Sequence, residues 1–216
     1  MKYLCLDIGN VLCYINEKAF LSCIGETIYR YPSDDGCCIY DTYDPIWFLK
    51  HCQAQLDIGT TTMKDELIDH YTYAAYNILN AWTSMISPCK ETIEWAESLI
   101  DKYGYKIALL SNIGEEHAVV VEKLLSPNNF FEKTIHHFSF EVGARKPQKL
   151  YYQSFLMQYP EFRGCYFIDD RQENLDMAKQ FGFRTIQLDL SKDNIEVKLK
   201  DISDRLKSFD RINEYS

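Results

Sequence analysis

The sequence predicts an α/β fold built around a parallel sheet, and three observations predict it. Short, unalternating apolar runs occur at 3–6, 106–110, 165–168 and 184–188. Such runs suit strands covered on both faces. Helical patterns lie between them, and alternation of strand and helix marks a sheet with helices on its faces. The chain has 216 residues, enough for one domain or for one domain carrying an insert.

Taken in order, a weaker strand candidate covers 134–140. Ser87-Pro88 reads as an N-cap with a first-turn proline. Ile93, Ala96, Ile100 and Tyr103 then share a helical face, and Gly104 supplies the stop. A second helix is expected after Asn112, through Val119 to Leu125, ended by Ser126-Pro127. Pro147 is expected to open a third, running through Tyr151 and Phe155. A fourth covers 174–181 and closes at Gly182. Near the C-terminus, Ile195, Leu199, Ile202, Leu206 and Phe209 form an amphipathic stripe. It is expected to pack on the sheet as a last helix rather than to bind a partner.

Residues 16–89 break the alternation. Ile46, Leu49 and Leu56 suit one helix there, and Met63, Leu67, His70 and Tyr71 another. Turn signals sit at 32–36 and at Asp57-Ile58-Gly59. The reading is a helical insert after the first strand, in a core made of 1–15 and 90–216. The insert is aromatic, with Tyr29, Tyr31, Tyr40, Tyr43, Trp47, Tyr71, Tyr73, Tyr76 and Trp82, most of them expected in its own core.

Hydrophobic residues make up 46% and charged residues 25%, which excludes disorder as an overall description. The net charge of −9 argues against nucleic acid as a partner. No apolar run approaches the ~20 residues of a membrane span, and residues 1–6 do not read as an export signal. The eight cysteines show no zinc spacing and are expected as reduced thiols of a cytoplasmic protein.

Four clusters sit where strands should end, the usual place for a ligand in an open parallel sheet. The first is Asp7-Ile8-Gly9-Asn10. A carboxylate directly behind a buried strand needs a partner, and suits a nucleophile or a metal ligand as well as a structural turn. The second, Ser111-Asn112, is either an anion site or an N-cap. The third is Arg145-Lys146-Pro147, where Lys146 suits a phosphoryl oxygen or a carboxylate, or is a surface charge. The fourth, Asp169-Asp170, places two carboxylates side by side. A divalent cation relieves their repulsion, and Mg²⁺ suits an all-oxygen ligand set.

Together and in this order, the clusters resemble the four motifs of the haloacid dehalogenase (HAD) superfamily. The run from Phe167 to Asn174, followed by Ala178 and Gly182, looks like the branch with a paired-aspartate fourth motif. A helical insert after the first motif is similar to the cap of the superfamily's first capped class. The resemblance implies a Rossmann-like parallel sheet of order 5-4-1-2-3. It implies a Mg²⁺-dependent phosphatase acting on a small phosphorylated substrate, through an aspartyl-phosphate on Asp7. Asp7, the Gly9 carbonyl and Asp170 would hold the metal, with Asp169 in support. Ser111, the Asn112 backbone N–H and Lys146 would hold the phosphoryl oxygens. Monomer and homodimer both remain open.

One position departs from the pattern. Most phosphatases of the superfamily carry a second aspartate two residues after the nucleophile, which protonates the leaving group. Here that position is Gly9, although an Asp-x-Gly-Asn branch resembles this sequence closely. Loss of a general acid costs roughly 10²–10⁴ in rate. The alternatives are a catalytically weak binding or regulatory protein, a phosphomutase, or a dehalogenase. Dehalogenases of the superfamily use no metal and lack this acidic fourth motif.

Overall fold

Strand-forming apolar runs with both faces covered dictate where the chain is buried first. In the computed structural model, which describes residues 1–22, 52–68 and 75–214, they form a five-stranded parallel sheet. β1 (Lys2–Leu6) is its centre. A separate antiparallel ladder joins β2 (Cys13–Ile15) to β3 (Ile86–Pro88). The sheet is completed by β4 (Tyr105–Ser111), β5 (Ile135–Phe138), β6 (Tyr166–Asp169) and β7 (Arg184–Gln187). Its order is β5-β4-β1-β6-β7. Counted alone in chain order, the five strands read 3-2-1-4-5, which from the other edge is 5-4-1-2-3.

The described helices are α1 (Met63–Ile68), α2 (Ala75–Ser84), α3 (Lys90–Tyr103), α4 (Glu115–Leu125), α5 (Ser139–Val142), α6 (Lys149–Gln158), α7 (Gln172–Gln180) and α8 (Ile195–Glu214). Residues 17–22 and 52–57 are helical as well. Alternate strand residues point to opposite faces. Leu4, Leu6, Ile107 and Leu109 pack with Ala96 and Leu99 of α3, Val121 and Leu125 of α4, and Ile202 and Leu206 of α8. Cys5, Ala108, Leu110 and Phe167 pack on the other face with Tyr151, Tyr152 and Phe155 of α6 and Leu175 and Ala178 of α7. Both faces are therefore apolar, which is why the strands do not alternate in sequence. The C-terminal helix packs as expected, pinned by Trp95 to Ser203 at 2.9 Å and Tyr105 to Asp210 at 2.7 Å.

Two expected helix starts move. Ser87 and Pro88 lie in β3, paired with Tyr14 and Cys13, and Cys89 caps α3 instead. The short ladder tolerates the missing proline N–H, and it brings the two ends of the 16–89 stretch together. Pro147 sits in a turn ahead of α6, because the backbone of Lys146 is held from outside, as described below. Buried apolar residues of the 16–89 stretch, including Phe20, Leu56, Met63 and Trp82, join the core on the α3–α4 face. Ile46, Leu49, His70, the 32–36 turn and most of the insert tyrosines lie outside the described residues. The five described cysteines are all free and buried. Among the described residues, no helix is long and apolar enough to cross a membrane.

The turn after residue 57 is pressed onto the core. Gly59 has φ +70°, and a Cβ there would lie 2.5 Å from the Phe140 carbonyl oxygen. Gly104 has a similar φ of +71° with open space around it. Gly59→Ala is expected to cost about 2–4 kcal/mol by denaturant unfolding, against about 1 kcal/mol for Gly104→Ala. Equal losses would show that this turn is not seated against Phe140.

Candidate active site

The register of the sheet brings the four clusters to one edge. Leu6 pairs with Leu109 on one side and with Ile168 on the other. Asp7 therefore emerges level with Leu110 and Asp169, and its N–H continues the ladder to the Ile168 carbonyl at 2.8 Å. Ser111 ends β4 and Asp169 ends β6. Asp7, Gly9, Asn10, Ser111, Asn112, Lys146 and Asp170 all border one cavity of about 470 Å³.

Lys146 is the hub, and it is buried rather than a surface charge. Its ammonium meets Asp7 Oδ1 at 2.9 Å, Asp169 Oδ2 at 2.7 Å and the Leu110 carbonyl at 2.7 Å. An ammonium has three protons, and these acceptors use them all. Asn112 locks the lysine backbone from both sides: its Oδ1 accepts from the Lys146 N–H at 2.7 Å, and its Nδ2 donates to the Lys146 carbonyl at 2.8 Å. Asn112 thus has a side-chain role that the sequence did not suggest.

The two aspartates of the fourth cluster are not equivalent. Asp169 is fully buried, and Oδ1 accepts from the Arg171 N–H at 2.8 Å and the Asn174 amide at 2.9 Å. With Oδ2 on Lys146, both of its oxygens are engaged by the protein. Asp170 faces the cavity and accepts one bond from the Asn10 amide at 3.1 Å. Asn10 reaches it from a left-handed backbone, φ 52°, a conformation asparagine tolerates better than most residues. Gly9 does not have a left-handed φ, and a Cβ there would make only ordinary contact, 3.5 Å from Ile15 Cγ1.

Carboxylate oxygens of Asp7, Asp169 and Asp170 all lie within 4.8 Å of one another. Burial pushes the Asp7 carboxyl up to about 7; Lys146 opposes the shift, and the neighbouring aspartates add to it. Asp170 is also raised, first by burial. Burial works against the Lys146 ammonium, but Asp169 and Asp7 more than offset it and hold its pKa above the ordinary value. With all three ionised, the carboxylates against one ammonium leave the cluster two charges negative. A hard divalent cation with oxygen ligands fits that excess.

One residue in the cavity was read from sequence only as part of a turn. Asp57, at the end of the 52–57 helix, is buried and lies 3.2 Å from Arg145 Nη1. No pattern in the chain could have placed it here, because its position depends on how the segment around residues 52–59 packs.

No protein-family model matches the chain, and no curated protein matches it in sequence. Solved structures do match its fold. A HAD-family enzyme from Bacteroides thetaiotaomicron, in complex with magnesium and inorganic phosphate, superposes with a TM-score of 0.73 at 20% identity, covering 91% of this chain and 98% of that one. A predicted HAD-like hydrolase from Porphyromonas gingivalis gives 0.69 at 19% identity, covering 94% and 98%. The L-2-haloacid dehalogenase of Xanthobacter autotrophicus, with chloropropionic acid covalently bound, gives 0.54 at 15%, covering 86% and 76%. This chain therefore has the Rossmann-like α/β fold of the HAD enzymes.

The crowding of carboxylates has consequences for stability. The folded Asp7 carboxyl titrates at about 7 against an ordinary 3.8. Between those values the folded protein holds a proton that the unfolded chain has released. Without metal, stability therefore falls as pH rises through this window and stays lower above it. Asp7→Asn removes the buried charge and is expected to stabilise the EDTA-treated protein by about 1–3 kcal/mol at pH 8. A loss instead would show that the ion pair with Lys146 outweighs the crowding. Lys146→Met should cost about 3–5 kcal/mol under the same conditions, because it strands buried carboxylates; thermal unfolding reads both.

Proposed function

We propose that the protein is a Mg²⁺-dependent phosphatase of the HAD superfamily, acting on a small phosphomonoester. The observation that carries this reading is the convergence of Asp7, Ser111, Lys146 and Asp170 on one cavity at the carboxyl edge of the sheet. In this reading residues 1–15 and 90–216 are the core and 16–89 the cap.

Asp7 is the nucleophile. Its oxygen attacks phosphorus in line and forms an aspartyl-phosphate, which water then hydrolyses. Lys146 fixes the attacking carboxylate and compensates its charge. Ser111 and the Asn112 N–H supply donors to the phosphoryl oxygens. Asp7, the Gly9 carbonyl and Asp170 would hold Mg²⁺, which screens the repulsion between nucleophile and phosphate when bound. Asp169, with both oxygens engaged, positions Lys146 and Arg171 around that set. The bacterial neighbour in complex with magnesium and inorganic phosphate supports the choice of metal and ligand class. Buried free thiols support a reducing, cytoplasmic setting.

Dehalogenation is the second reading, since a dehalogenase shares the fold. The excess negative charge around Asp170 favours the phosphatase, because a metal-free site gains nothing from a third crowded carboxylate.

Hydrolysis of p-nitrophenyl phosphate is expected to require Mg²⁺ and to drop to background in Asp7→Asn. No turnover above that control, on this substrate or on a panel of sugar and nucleoside monophosphates, would sink the phosphatase reading. A Cβ at Gly9 meets only ordinary contacts, and Gly9→Asp is expected to speed alkyl phosphates more than aryl ones. An equal loss on both would mean that the turn requires glycine.

A further inference from the structure

We propose that Asp57, carried on the insert, is the proton donor and acceptor of the reaction, in the role left open by Gly9. The inference rests on the phosphatase reading and extends it. In-line attack by Asp7 directs the leaving oxygen away from the sheet edge, toward the opposite wall of the cavity. Asp57 borders that cavity from the insert, outside the strand-end residues that crowd around Asp7.

Its placement is built, not incidental. Leu56 is buried in the core beside it. Gly114 allows close approach: a Cβ there would lie 3.2 Å from the Leu56 carbonyl oxygen. The Gly59 turn seats the segment against Phe140 from the other side. The Asp57 carboxylate is buried, and its Oδ2 makes no hydrogen bond, although Arg145 Nη1 is 3.2 Å away. That oxygen is buried against Arg145, so the ion pair fixes the carboxyl where the residue lines the cavity.

The charges facing Asp57 are Arg145, Arg171 and Lys146. Burial outweighs them and raises the carboxyl to about 6, the range in which a group can both give and take a proton near neutrality. Arg145 steadies the carboxylate once its proton has left. The other candidates in the cavity are less apt. Glu17 is exposed. His117 spends its Nε2 proton on the Trp82 carbonyl at 2.8 Å, stacks on that indole, and is kept neutral by burial.

The steps balance. As Asp7 bonds to phosphorus, the phosphorus–oxygen bond to the leaving group breaks, and its electron pair takes the Asp57 proton to give the free alcohol. Asp57, now a carboxylate, removes a proton from the water that attacks the phosphorylated Asp7. The phosphorus–oxygen bond to Asp7 then breaks, inorganic phosphate leaves, and Asp57 is protonated again.

The test compares kcat/KM for alkyl phosphates and p-nitrophenyl phosphate. Asp57→Asn is expected to lower the alkyl value about 10²–10³-fold and the aryl value less than tenfold, because a good leaving group needs little protonation. Adding Gly9→Asp in that background should restore alkyl turnover by a larger factor than it gains in wild type. The wild-type protein gives a second measure that needs no variant: its rates should fall only shallowly as the leaving-group pKa rises. Equal loss on both substrates without rescue, or a steep wild-type dependence, would overturn the role of Asp57 while leaving the phosphatase standing. Absence of Asp7-dependent aryl phosphatase activity would overturn both.

Discussion

A lysine ammonium held among two carboxylates and a carbonyl is the interaction on which this site depends. Lys146 is 1% exposed, and a buried ammonium is costly unless every proton finds an acceptor. The acceptors come from three adjacent strands: Asp7 after β1, Leu110 in β4 and Asp169 at the end of β6. The lysine itself comes from the loop ahead of α6, clamped by Asn112. Sheet register, loop position and carboxylate orientation are therefore coupled through one nitrogen atom.

The same geometry leaves the edge of the sheet too acidic for its own comfort. Lys146 offsets only part of the charge of Asp7, Asp169 and Asp170, and burial raises two of those carboxyls. Such crowding destabilises a protein that has no use for it. A divalent cation offsets such crowding by adding positive charge among oxygen ligands. Asp57 arrives in the cavity on a segment seated by Leu56, Gly59 and Gly114, so its place is set by packing rather than by the register of the sheet.

Most of the fold was legible because burial leaves a periodic trace. Unalternating runs marked β1, β4 and β6, since both faces of each are covered by helices, whereas β7 is an edge strand with only Ile186 buried. The stripe from Ile195 to Phe209 marked α8. Ser87-Pro88 misled, because cap residues and a short edge ladder share the same chemistry, and only pairing with β2 separates them. Within the site, Asp7, Ser111 and Asp170 were legible from their places at or behind strand ends, and Lys146 from its place before Pro147. The clamp by Asn112 was not, since an asparagine after a strand fits an N-cap, a turn or a clamp equally well.

By itself the sequence determined the layered α/β class, the four chemical clusters and the absence of a carboxylate at Gly9. These are local properties, carried by residue type and spacing. Only the tertiary structure decided which clusters meet, that Asp169 is engaged while Asp170 faces the cavity, and that Asp57 joins them. Contacts between residues far apart in the chain depend on register and packing, and hydrophobic periodicity carries no information about which distant side chain will arrive opposite.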